Sequence, residues 1–172
     1  MMRKAFLAGV PLFVGCLLTT GSGWAAELPK AGKIDVAVTD VTTAKALELA
    51  DKHSLYALDS ALVARGADGN AVMGNMTGHC LSLERVADAN GAGTNDGYCT
   101  FVDGDGDKIY TAVKTSRASG KEEAKGTATI TGGTGKYAGI SGDLTQTRLL
   151  LASPAEGVYP GAGRITGEYR IK

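Results

Sequence analysis

The sequence predicts an all-β chain of seven or eight antiparallel strands, joined as an up-and-down meander and packed as a sandwich or a closed barrel. Three observations carry this. Apolar and polar residues alternate with period 2 in segments from Ile34 to Ile171. Clusters of Gly, Asn, Asp and Pro interrupt the alternation about every 8 to 15 residues, too often for βαβ units. Helix signals are scarce beyond residue 53. Glycine is abundant, 25 of 172 residues, roughly twice the usual share of about 7%. It shows no Gly-X-Y period, which excludes collagen.

The chain opens on an address. Arg3 and Lys4 precede the uncharged, mostly apolar run 5–18, and small residues follow up to Gly23-Trp24-Ala25. This is the layout of a secretory signal peptide, and the run is shorter than the ~20 residues of a membrane span. We place the signal peptide at 1–25, with cleavage after Ala25. A rival reading makes Phe13-Val14-Gly15-Cys16 a lipoprotein box that would anchor the protein through Cys16. Phe is a poor first residue for that box, and the apolar run continues past Cys16. Export to a periplasmic or extracellular compartment is therefore expected, with no membrane span left after cleavage. Losing Arg3 and Lys4 leaves 16 basic against 18 acidic side chains. That balance argues against nucleic acid as a partner, because phosphate binding needs a basic face.

Residues 26–52 read as an N-terminal arm with a possible strand, where Ile34, Val36 and Val38 alternate with Asp35, Ala37 and Thr39. Within 41–51 the spacing of Ala44, Leu47 and Ala50 suits a helix, and Leu47 and Leu49 equally suit a strand. The main β domain is placed at 53–172, since no linker divides it. Segment 54–65 is also ambiguous: Leu55, Leu58 and Leu62 have helical spacing, but the segment runs into a hairpin-type turn at 66–70, and strand is the reading chosen. Segment 71–85 is extended, and 88–97 is a polar loop. Segments 98–102 and 108–116 are strands flanking the turn 103–107. Segments 126–131 and 140–151 are strands flanking the turn 132–139. A loop with Pro154 and Pro160 spans 153–163, and 164–171 is a terminal strand expected to pair with an early one, which would remove a sheet edge.

Cys80 and Cys99 are the cysteines left after cleavage. In an oxidising compartment an even pair is most simply a disulfide, here closing a loop of about 20 residues for roughly 3 kcal/mol on the chain-entropy model. A metal site with His79 is the thinner alternative, lacking a fourth nearby ligand. Asp103, Asp105 and Asp107 have a D-x-D-x-D spacing that could chelate calcium. Position 12 of such a loop is Lys114 rather than an acid, so a solvated acidic turn is expected and no metal or cofactor is. His53 and His79 are the two histidines. Neither belongs to a Gly-x-Ser-x-Gly elbow, and no catalytic constellation is visible. Glu84 and Glu168 lie in predicted strands; an inward carboxylate could polarise a ligand, and an outward one would merely pair at the surface.

The most distinctive string is Gly132-Gly133-Thr134-Gly135-Lys136-Tyr137-Ala138-Gly139-Ile140-Ser141-Gly142. It is not a P-loop: Ile130 stands where the pattern needs glycine, Tyr137 where it needs Ser or Thr, and no helix follows. We read Gly132, Gly133, Gly135, Tyr137 and Gly139 as a structural turn. Positive φ is expected at Gly133 or Gly135, the Tyr137 ring should pack on the core, and Lys136 should project to solvent.

This string resembles the glycine-rich turn of the allene oxide cyclase-like barrel superfamily, which includes plant dirigent proteins. Exported bacterial barrels of that kind are similar over more of the chain, through Gly78-His79-Cys80, Tyr98-Cys99, the turn 103–107 and the turn 132–137. The resemblance implies a single antiparallel up-and-down barrel of about eight strands with an apolar interior. Plant members use that interior to hold a reactive lipid or phenolic radical. The function expected first is a non-enzymatic exported barrel binding a small apolar or amphipathic ligand. A scaffold of the cell envelope, open to oligomerisation, and a cyclase- or dirigent-type enzyme acting by confinement are the alternatives.

Overall fold

In the computed structural model, which describes residues 28–50, 53–67, 72–87 and 91–172, eight strands close into one antiparallel barrel in strict chain order. They are β1 (Ala31–Glu48), β2 (Ser54–Gly66), β3 (Asn75–Val86), β4 (Gly93–Val102), β5 (Lys108–Arg117), β6 (Glu123–Gly133), β7 (Ile140–Leu150) and β8 (Val158–Ile171). A 3₁₀ turn, Gly135–Tyr137, interrupts the β6–β7 connection. The signal-peptide reading, cleavage at Ala25 and lipidation at Cys16 fall outside the described residues. No helix among the described residues is long and apolar enough to cross a membrane.

One boundary needs correction. Segment 26–52 is no arm beside the barrel, because β1 is a stave hydrogen-bonded to β2 on one edge and to β8 on the other. The barrel therefore begins at Ala31 rather than at residue 53. The same double ladder decides between helix and strand within 41–51. Thr42 lies opposite Ser60 and Tyr159, and the strand runs on to Glu48. The ladder to β8 runs to Thr43 and that to β2 to Glu48, and these backbone bonds override a weak helical spacing. The loop expected at 153–163 is also shorter, since β8 starts at Val158. Pro160 stands one residue beyond the last β7–β8 rung, Leu150 with Gly161, where a missing N–H costs no ladder bond.

Along each strand one parity faces inward. The inward set of β1 is Ile34, Val36, Val38, Asp40, Thr42 and Ala44; that of β7 is Ile140, Gly142, Leu144, Gln146, Arg148 and Leu150. Both run from apolar to polar in the same chain direction, because the two strands are each antiparallel to β8, which stands between them. The barrel thus has two unlike ends. One is plugged by Ile34, Phe101, Ile109, Ile130, Leu144 and Tyr169, all at most 5% exposed. The other keeps polar side chains inside. Cys80 and Cys99 face each other across β3 and β4, both inward, and are joined by a disulfide with Cα atoms 4.1 Å apart.

Candidate functional site: a blind cavity at the open end

The interior above the plug holds two connected chambers. The inner one is about 100 Å³ and is walled by Val38, Leu62, Phe101, Val113, Ile165 and the Cys80–Cys99 disulfide. The outer one is about 350 Å³ and includes Tyr56, Glu84, Arg117, Arg148 and Tyr159. Thr42, Leu58 and Arg148 line both chambers and mark the waist between them. The result is a pocket of ligand dimensions, mostly apolar, with a few convergent polar groups.

Those polar groups form two internal ion pairs. At the waist, Arg148 Nε donates to Asp40 Oδ1 at 2.9 Å and Arg148 Nη2 to Asp40 Oδ2 at 2.6 Å. This two-point fork suits a planar guanidinium and a carboxylate. Nη2 also reaches the Thr42 hydroxyl and the Tyr159 carbonyl, both at 3.2 Å. Thr42 in turn donates to Asp40 Oδ2 at 3.0 Å, and its hydroxyl lies 2.7 Å from that of Ser60. Asp40 is 7% exposed and Arg148 29%. At the rim, Arg117 Nη2 donates to Glu84 Oε1 at 3.0 Å.

Glycine makes the waist pair possible. Gly161 is an inward residue of β8 beside Asp40, and a Cβ there would lie 2.5 Å from Asp40 Oδ1 and 2.6 Å from Arg148 Nε. A side chain there would force the pair to shift, since the pair occupies the space glycine leaves. Deeper in, the Thr111 hydroxyl is 1% exposed and has no hydrogen-bond partner, and the buried Asn95 Oδ1 likewise has none. Both residues line the inner chamber. Buried polar atoms of this kind are paired in most proteins, so these two leave unused hydrogen-bonding capacity in the cavity wall.

The residues singled out from the sequence divide between the two ends and the outer face. Glu84 faces inward and belongs to the cavity, whereas Glu168 faces outward. His79 is on the outer wall, opposite in facing to Cys80, with Nε2 2.8 Å from Asp59 Oδ1. His53 is exposed at the start of β2. The acidic turn and the glycine-rich turn meet at the plugged end. The Asp103 carboxylate accepts the N–H groups of Asp105 (2.9 Å) and Asp107 (3.0 Å) through Oδ1. The Lys136 ammonium sits 2.7 Å from Asp103 Oδ2 and 2.6 Å from Asp105 Oδ2, and the Lys136 N–H donates to Asp107 at 3.1 Å.

Lys136 therefore stays partly exposed but is not a free solvent-facing side chain as expected, because the acidic loop holds it. The β6–β7 turn lies over the acidic β4–β5 loop, held by Thr134 N–H on the Lys108 carbonyl and Lys108 N–H on the Thr134 hydroxyl. The lysine then supplies the positive charge among the three aspartates. Burial pushes the Asp103 carboxyl up, but Lys136, the two backbone N–H groups and Tyr137 outweigh it and hold the carboxyl below its usual range. Its carboxylates raise Lys136, and burial, with Asp103 adding to it, pushes the Tyr137 hydroxyl up to about 12. Tyr137 is buried, 5% exposed, and Gly135 has φ +54°.

Sequence reasoning missed Asp40, Thr42, Ser60, Arg117 and Arg148. A signal existed for Asp40 and Thr42: they continue the parity of Ile34, Val36 and Val38, so polar residues stand at positions the alternation reserves for the interior.

No known family's sequence model matches the chain, and no curated protein does. Among solved structures, the pterocarpan synthase dirigent protein matches with a TM-score of 0.51 at 14% identity, over 83% of this chain and 92% of that one. At that identity the likeness shows the fold: an eight-stranded barrel of the dirigent type.

Proposed function

We propose that this barrel binds a small amphipathic molecule in the cavity at its open end, as an exported protein. The observation that carries the reading is the blind pocket itself: plugged below by aliphatic and aromatic side chains, open above, apolar at the wall and polar at waist and rim. The leader-like segment 1–25 and the disulfide support export, since disulfides persist in oxidising compartments. The test uses 8-anilinonaphthalene-1-sulfonate as a fluorescent probe. Saturable binding to the folded protein is expected. Leu58→Trp, which fills the waist, should abolish that binding while circular dichroism and the cooperative unfolding transition persist. A probe that fails to saturate, or that ignores the plug, would sink the reading.

A second reading is favoured by the inward carboxylates and guanidiniums. A cavity that places Asp40, Glu84, Arg117 and Arg148 around one ligand has groups able to orient a substrate and stabilise charge during a reaction by confinement. The solved neighbour is named a synthase; for this chain, enzyme action is a proposal that ranks after binding.

A further inference from the structure

The outer chamber is richer in donors than its ion pairs consume, and this points to the chemistry of the ligand. Asp40 is fully engaged from within the protein: Oδ1 by Arg148 Nε, Oδ2 by Arg148 Nη2 and the Thr42 hydroxyl. The guanidiniums are not. Arg148 bonds through Nε and Nη2, so Nη1 has no partner among the described residues; Arg117 bonds through Nη2 alone, so Nε and Nη1 have none. Glu84 Oε2 is the single carboxylate oxygen of the two pairs without a partner among the described residues. A guanidinium carries five donors and no acceptor. Two of them on one chamber wall leave a surplus of N–H groups facing a ligand. Arg148 is moreover locked by four contacts, so its free edge is presented in a set orientation at little entropic cost on binding.

We propose that the cavity selects amphiphiles with an anionic, acceptor-rich head group, a carboxylate or its sulfonate equivalent, docked on Arg117 and Arg148 with the apolar part directed past Leu58 into the inner chamber. This rests on the binding reading above and adds the head-group chemistry to it. Charge-assisted bonds from a guanidinium to a carboxylate are about twice as strong as neutral ones. An uncharged alcohol of equal length keeps the apolar contacts and loses that difference.

The experiment is calorimetric titration, at neutral pH and below micellar concentrations, with decanoate, 1-decanol and decyltrimethylammonium. Decanoate is expected to bind about tenfold or more tighter than 1-decanol, with the ammonium weakest. Arg117→Gln should lower decanoate affinity about tenfold and leave 1-decanol affinity unchanged, which also shows that the cavity is intact. Lys114→Gln removes an equal charge from the outer wall, where that side chain is 77% exposed, and should change neither. Equal binding of acid and alcohol would overturn the head-group assignment while leaving the cavity reading standing. So would tighter binding of the ammonium, or a loss of decanoate affinity as large in Lys114→Gln as in Arg117→Gln. Failure of all three probes would overturn both.

Discussion

Removing the arginine of the waist pair is the sharpest test of how the interior is held. In Arg148→Met the carboxylate of Asp40 stays in place at 7% exposure and loses both fork bonds, keeping the Thr42 hydroxyl. Breaking a fully buried ion pair from one side costs about 3–5 kcal/mol. Arg148 is 29% exposed and the waist opens onto the outer chamber. Water can therefore enter the vacated space, and the expected cost falls to about 2–3 kcal/mol. Asp40→Asn keeps the shape and one acceptor, and should cost about 1–2 kcal/mol, nearer the range for a lost charge-assisted bond. With both changes no unpaired charge is left, so the double variant should cost no more than Arg148→Met alone. Urea unfolding of the four proteins gives the cycle, with a coupling of about 1–2 kcal/mol expected. Costs that simply add, or an Arg148→Met variant within about 0.5 kcal/mol of the parent, would show that the fork is not what orders this end of the barrel.

Gly135→Val places a β-branched side chain at φ +54° and against the Asp107 carboxylate; a loss of about 3 kcal/mol or more in denaturant unfolding is expected, and a neutral result would refute the turn geometry. The lock between the two turns predicts an alkaline weakness. Lys136 and Tyr137 are both raised in the fold, Tyr137 from 10.0 to about 12, so their stabilisation is complete below about pH 10 and lost as pH climbs toward 12 and beyond. Unfolding free energies at neutral pH and at about pH 11 should diverge more in the parent than in Tyr137→Phe; equal divergence would remove Tyr137 from the argument. Thiol titration of the folded protein should find Cys80 and Cys99 unreactive until reduction, and probe binding should weaken afterwards, since the bridged sulfurs wall the inner chamber; free thiols before reduction would refute the bond.

Much of the architecture was legible because it rests on local rules. Period-2 alternation marks strands wherever one face is buried, and Gly- or Asp-rich interruptions mark hairpins. The up-and-down order follows from short links. Export chemistry and an even cysteine count pointed to the Cys80–Cys99 bond, and the register of β3 against β4 sets the two residues directly opposite. The β1 segment was harder. Ala44, Leu47 and Ala50 carry a helical spacing, and it is the ladder to β2, running on to Glu48 beyond the last β8 rung at Thr43, that makes the strand the better conformation there. The role of Lys136 was hidden for a similar reason. Nothing near it in sequence is acidic, and its partners Asp103 and Asp105 arrive from another hairpin.

The sequence by itself determined the class of fold, the position of most strands, the paired cysteines and the glycine-rich turn, because each depends on neighbours within a few residues. Closure of the barrel decided the site. Asp40 and Arg148 are 108 residues apart, on strands that never pair with each other, and β8 stands between them. Alternation says which residues share a face, but a strand read alone does not say which face is inside or which depth along the axis a residue occupies. Those depend on the register of eight ladders at once. Once β1 and β8 are in register, with Gly161 opposite Asp40, there is room for one carboxylate and one guanidinium at the same depth, and the interior acquires its polar waist.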